Sequence, residues 1–108
     1  MLNLANIERD LAMLRQILEV IELLVDNKTM GFRKISEKTD LPPHVVKYIL
    51  SILQLDYIVR TSGKGSVLTP NAKQELKFLE EDLEILIQEL KEAKDHVSRI
   101  LKKLEEQE

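Results

Sequence analysis

FRKISEKTDLPPHVVKYILSILQLDYIVRTSGKGSVLT, residues 32–69, decides the fold, because two helical patterns meet in it at a proline pair and a β-prone stretch follows. FRKISEKT sets Phe32, Ile35 and the small Ser36 on one side and Arg33, Lys34, Glu37 and Lys38 on the other, a helix of about two turns. Pro42 and Pro43 end it, since proline lacks the ladder donor and disfavours α geometry in the residue before it. The same prolines suit a first helical turn, where that donor has no partner anyway, so residues 42–54 are predicted to form a second helix. Its buried side is Val46, Ile49, Leu50 and Leu53, which leaves His44, Val45, Lys47, Tyr48, Ser51 and Gln54 outward or partly so. YIVRTS and SVLT then flank GKG, predicting a hairpin over residues 57–69 with Lys64 at its tip.

Upstream, Leu4, Ile7, Leu11, Leu14, Leu18, Ile21 and Val25 recur at spacings of three and four, the stripe of an amphipathic helix that Val20, Leu23 and Leu24 widen near its end. Asp26-Asn27 and the stretch from Thr29 to Gly31 break it. Downstream, Thr69-Pro70-Asn71 offers a hydroxyl cap with proline at the first helical position, and a helix is predicted from residue 71 to the end. In that helix Leu76, Leu79, Leu83, Leu86, Leu90, Ala93, Val97, Ile100 and Leu104 continue the three-and-four spacing without a miss. About four heptads at about 1.5 Å per residue make a rod of roughly 55 Å, longer than a small core can cover. Its seam needs a partner, and a homodimer is expected.

The composition narrows the chemistry. A length of 108 residues suits one small domain with a long appendage, and three Gly and three Pro leave little irregular structure. The absence of Cys, with only His44 and His96, excludes disulfides, thiol catalysis and the usual zinc ligand sets. GKG is too short for a phosphate loop, so no enzyme activity, metal or cofactor is expected. His96 reads as a surface pairing residue. MLNLANIERD has no basic stretch ahead of an apolar run, and no run approaches the roughly 20 apolar residues that cross a bilayer, so a cytoplasmic protein without membrane association is expected.

Charge is unevenly distributed along the chain. The net charge of -3 hides a middle segment, residues 26–70, with seven basic and four acidic side chains. Residues 1–25 carry two basic and four acidic, and residues 71–108 seven and eleven. Phosphate neutralisation dominates non-specific affinity for nucleic acid, so any such contact falls on the middle segment.

Helix, short helix, tight turn, helix, hairpin with a basic tip and closing helix is the order of the winged helix-turn-helix. Residues 14–76 resemble the winged-helix domains of small archaeal and bacterial transcription regulators, the MarR-like group included. The resemblance rests on Ser36 inside the first helix, Leu41 in the turn, Val46, Leu50 and Leu53 in the second, LDYIVR at its exit and LTPNA after the hairpin. Asp56-Tyr57 stands where many relatives have glycine, and Pro42-Pro43 where a Ser/Thr-rich cap often touches phosphate.

The resemblance implies a mainly α fold with a small β-hairpin (α+β), a winged helix-turn-helix followed by a long C-terminal coiled-coil helix. It implies a DNA-binding role, as a dimeric transcription regulator or nucleoid-associated protein on double-stranded DNA, with recognition helix 42–54 in the major groove and wing 57–69 against phosphate or minor groove. His44, Lys47, Tyr48 and Ser51 would then face bases, and Arg33, Lys34, Arg60 and Lys64 the backbone. The alternative is a winged-helix protein-interaction module that does not bind DNA. The residues identify no small-molecule effector.

Residues 1–13 exceed what a winged-helix domain needs, so the expected organisation is an N-terminal extension over 1–13, the domain over 14–70 and a dimerisation helix over 71–108. The extension packs in cis or in trans at a dimer contact. With Leu76 as a and Leu79 as d, the flanks carry Glu75, Glu80, Asp82 and Glu89 in the first half and Lys94, His96 and Lys103 in the second. Antiparallel pairing sets Glu80 against Lys94, Asp82 against His96 and Glu75 against Lys103, and is favoured over parallel. A dimer of this kind resembles small archaeal chromatin-associated winged-helix proteins, on architecture alone.

Overall fold

A computed structural model describes residues 3–108 and shows a mostly helical chain with one small antiparallel hairpin. The elements are α1 (Ala5–Asp26), α2 (Phe32–Thr39), α3 (Pro43–Leu55), β1 (Val59–Ser62), β2 (Gly65–Leu68) and α4 (Ala72–Glu106). They fall into two compact units, one extending through Ala72 and the other running from Lys73 to Glu108. Of the expected N-terminal extension, Met1 and Leu2 lie outside the described residues, and the boundary between residues 13 and 14 falls inside the continuous α1.

In the first unit Val20, Ile21 and Leu24 of α1, Ile35 of α2, Val46, Ile49 and Leu53 of α3, and Ile58 and Val59 are buried together with Met30. α2 packs on α3, β1 on α3 and β2 on α1. The long stripe of α1 is therefore divided. Only its C-terminal half enters the core, through Val20, Ile21 and Leu24, while Leu4, Ile7, Leu11 and Val25 are exposed. The division runs along α1: Lys38 and Thr39 of α2 share a cleft with Arg15, Leu18, Glu19, Glu22, Leu23 and Asp26, whereas Leu4, Ile7 and Leu11 lie in the turns before it.

The turn from α2 to α3 is fixed locally. Asp40 takes the left-handed conformation (φ 59°), which its short polar side chain tolerates. The Ser36 hydroxyl donates to the Leu41 carbonyl, and the Thr39 hydroxyl donates to the Ile35 carbonyl at 2.7 Å while accepting from the Leu41 N–H at 3.3 Å. Pro43 then occupies the first turn of α3.

α3 ends in a Schellman motif: the Ile58 N–H reaches the Leu53 carbonyl at 2.9 Å and the Tyr57 N–H the Gln54 carbonyl at 3.1 Å. Tyr57 holds the left-handed position (φ 58°) that usually selects glycine, and the buried pair Leu53 and Ile58 supplies the accompanying apolar contact. The hydroxyl of Thr69 donates to the Tyr57 carbonyl, tying the end of the hairpin to this turn. α4 starts at Ala72, whose N–H donates to the Thr69 carbonyl at 3.1 Å.

β1 and β2 pair from Val59 with Leu68 to Ser62 with Gly65, closing on Gly63-Lys64. Residues between α1 and α2 extend this sheet. Met30 and Ser66 exchange hydrogen bonds at 3.2 and 2.9 Å, so the stretch expected only to break α1 covers the outer edge of β2. Gly65 permits the approach. Its φ is +132°, and a Cβ there would stand 2.6 Å from the Met30 carbonyl carbon.

The second unit is the single helix α4. Leu76, Leu79 and Leu83 are half-buried, whereas Leu86, Leu90, Ala93, Val97, Ile100 and Leu104 are exposed on one seam. Phe78, Ile85, Ile87 and Leu101 are exposed outside that seam. Among the described residues no helix is long and apolar enough to cross a membrane.

Candidate nucleic-acid interface

α3 divides cleanly into two faces. Val46, Ile49 and Leu53 are buried, and His44, Lys47, Tyr48 and Ser51, at offsets of 0, 3, 4 and 7, form the opposite face and are all exposed. The four α3 residues singled out from the sequence therefore share one surface. Within it the Ser51 hydroxyl donates to the Tyr48 carbonyl at 2.6 Å, which leaves its oxygen as an acceptor.

Beside this face lies a cleft of about 260 Å³ between α3 and the hairpin, lined by Lys47, Ser51 and Gln54 of α3, Thr61, Ser62 and Gly65 of the hairpin, and Phe32 of α2, among others. Gln54 spans it, its side-chain N–H reaching the Thr61 hydroxyl oxygen at 3.4 Å. At the hairpin end the Ser62 hydroxyl donates to the Gly65 carbonyl at 3.1 Å and accepts from the Lys64 N–H at 3.3 Å, which fixes the tip that carries Lys64.

The cations are gathered unequally. Lys47 Nζ lies 4.5 Å from the centroid of the Phe32 ring and Arg33 Cζ 5.7 Å from the same centroid, so one aromatic side chain collects a cation from each of two helices. Lys34 is exposed on the first turn of α2, and Lys64 is exposed at the hairpin tip. Arg60 follows Val59 and precedes Thr61, both of which line the cleft, so strand alternation places it on the other face of β1. Lys47 and Ser51 are thus in the cleft, Arg33 joins them through the ring, and Arg60 does not.

A larger cleft of about 460 Å³ runs between α1 and α2. Its charged lining is Glu19, Glu22 and Asp26 against Arg15 and Lys38, an excess of carboxylate that disfavours phosphate. The smaller cleft has no carboxylate in its lining. Among the described residues no group of three or more His, Cys, Asp or Glu is placed to hold a metal ion.

Sequence reasoning missed Phe32, Gln54, Thr61 and Ser62. Phe32 sits at an apolar helical spacing and so reads as core, although its ring is half-buried with cations at its surface. A basic residue on the outward side of a neighbouring predicted helix was the only available signal, and spacing within one helix does not carry it. Compared with models of known protein families and with curated proteins, the chain matches none.

Proposed function

We propose that the chain is a dimeric DNA-binding protein of winged helix-turn-helix type, a transcription regulator or nucleoid-associated protein, in which α3 enters the major groove and the hairpin acts as the wing. The observation that carries the reading is the exposed face of His44, Lys47, Tyr48 and Ser51, set directly opposite the buried face of α3 and beside a carboxylate-free cleft. A helix presented in this way fits the major groove, where donors and acceptors of every base pair are distinguishable. Arg33 at the Phe32 ring and Lys64 at the hairpin tip supply the phosphate attraction that positions such a helix, and Lys34 is exposed on the first turn of α2.

The dimer reading rests on α4. An apolar Leu side chain contributes about 1.5–3 kcal/mol when fully buried, whereas an exposed ion pair contributes about 0.2–1 kcal/mol. The seam of Leu86, Leu90, Val97, Ile100 and Leu104 therefore supplies affinity for a second copy, and the acid-then-base order of its flanks favours the antiparallel orientation.

Backbone amide shifts on adding a mixed-sequence duplex test the reading. The expected shifts cluster at residues 44–51 and 63–65. Shifts confined to α1 or α4, or none at low salt, would move the assignment to a protein-docking module.

A further inference from the structure

 A lysine carries its ammonium on a long flexible stem, and an exposed one samples many rotamers. The Phe32 ring, 4.5 Å from Lys47 Nζ, favours those that keep the charge beside the cleft. An aromatic face attracts a cation without accepting its N–H groups in conventional hydrogen bonds, so the ammonium keeps donors for an incoming oxyanion. Arg33 beside the same ring adds a second positive charge.

The rest of the cleft lining is uncharged. The protons of the Ser51 and Ser62 hydroxyls are committed to the Tyr48 and Gly65 carbonyls, so Lys47 is the charged donor among the lining side chains. A base edge would require a partner that presents matched donors and acceptors, whereas a point charge on a positively biased, carboxylate-free surface suits a phosphodiester.

We infer that Phe32 is a positioning residue that holds the Lys47 ammonium at the cleft between α3 and the hairpin, where it receives a non-bridging phosphate oxygen of the duplex instead of reading a base. This rests on the DNA-binding reading above, and it moves Lys47 from the base-facing set expected from the sequence to the backbone-facing set.

The test is a set of dissociation constants for two duplexes of unrelated sequence, measured at low and near-physiological salt. The proteins are the wild type, Phe32→Leu, Phe32→Tyr, Lys47→Ala and the Phe32→Leu, Lys47→Ala double variant. Phe32→Leu keeps an apolar side chain but removes the ring, and is expected to weaken binding about two- to fivefold. Phe32→Tyr retains the ring and restores the affinity. Lys47→Ala weakens both duplexes by the same factor and lowers the salt slope by about one. In the Lys47→Ala background Phe32→Leu has a smaller effect, limited to what the ring does for Arg33.

Equal losses from Phe32→Leu in both backgrounds, or equal losses from the leucine and tyrosine variants, would overturn the positioning role. A Lys47→Ala loss confined to one duplex would overturn the phosphate assignment. The side-chain Hε resonances of Lys47 in the free protein give a separate readout: an upfield ring-current shift in the wild type that disappears in Phe32→Leu supports the positioning role, and its absence in the wild type refutes it. Failure of the wild type to bind either duplex would reject the DNA reading and the phosphate assignment together, with the Hε shifts still deciding whether the ring holds the ammonium.

Discussion

Ile49 of α3 is fully buried, while Leu90 of α4 is 58% exposed, although both sit on regular apolar stripes of well-formed helices. The unit through Ala72 brings three helices and a hairpin around its aliphatic side chains and leaves cations on its surface. The unit from Lys73 is one helix, and one helix has no second layer with which to cover its own stripe. The same periodicity therefore has two consequences, a closed core in one region and an uncovered apolar stripe in the other.

The sharpest way to break this contrast is to place charge in the seam. Leu86→Asp with Leu90→Asp would put four carboxylates into the apolar seam of a dimer, and each buried charge left without a partner costs several kcal/mol. The expected outcome in sedimentation equilibrium is a monomer whose first unit still unfolds cooperatively. A dimer that persists would show that α4 is not the contact.

Next comes the core. Ile35→Ala removes a fully buried side chain and is expected to cost about 2–5 kcal/mol in denaturant unfolding. Val97→Ala, at an exposed seam position, should instead weaken dimerisation and leave the unfolding of the first unit unchanged.

A backbone change sharpens the account of the sheet. Gly65→Ala would force a Cβ against the Met30 backbone and a left-handed φ on a non-glycine residue, a loss of about 1–3 kcal/mol. Faster amide exchange at Met30 and Ser66 would locate the damage, since their mutual hydrogen bonds are the ones disturbed. The smallest effect runs the other way. Tyr57→Gly relieves about 1–2 kcal/mol of left-handed strain but adds about 0.5–1 kcal/mol of chain entropy, so a gain of about 0.5–1 kcal/mol is expected in thermal unfolding.

Much of this architecture is legible in the sequence because its signals are local. The proline pair marks the boundary of α3, the Gly-Lys-Gly tip marks the hairpin, and three-and-four spacing marks α1 and α4. What is hidden depends on residues far apart in the chain. Nothing around Met30 announces its pairing with Ser66, and nothing around Phe32 announces Lys47 at its ring. Tyr57 is hidden for another reason: it replaces the glycine that would have advertised the left-handed position, and the Schellman hydrogen bonds hold it there regardless. The outward face of α3 was legible residue by residue, whereas the cleft beside it needed the hairpin in place.

The proposed contact sets the outward face of α3 and the hairpin tip against the phosphates of duplex DNA. Fluorescence anisotropy of a labelled mixed-sequence duplex, titrated across a salt series with the wild type and a Lys47→Ala, Lys64→Ala double variant, tests it most directly. The account predicts tight binding at low salt that weakens as salt rises, with the double variant binding less tightly and its salt slope smaller by about two. Absence of binding at low salt by a folded dimer, or identical slopes for the two proteins, would contradict it.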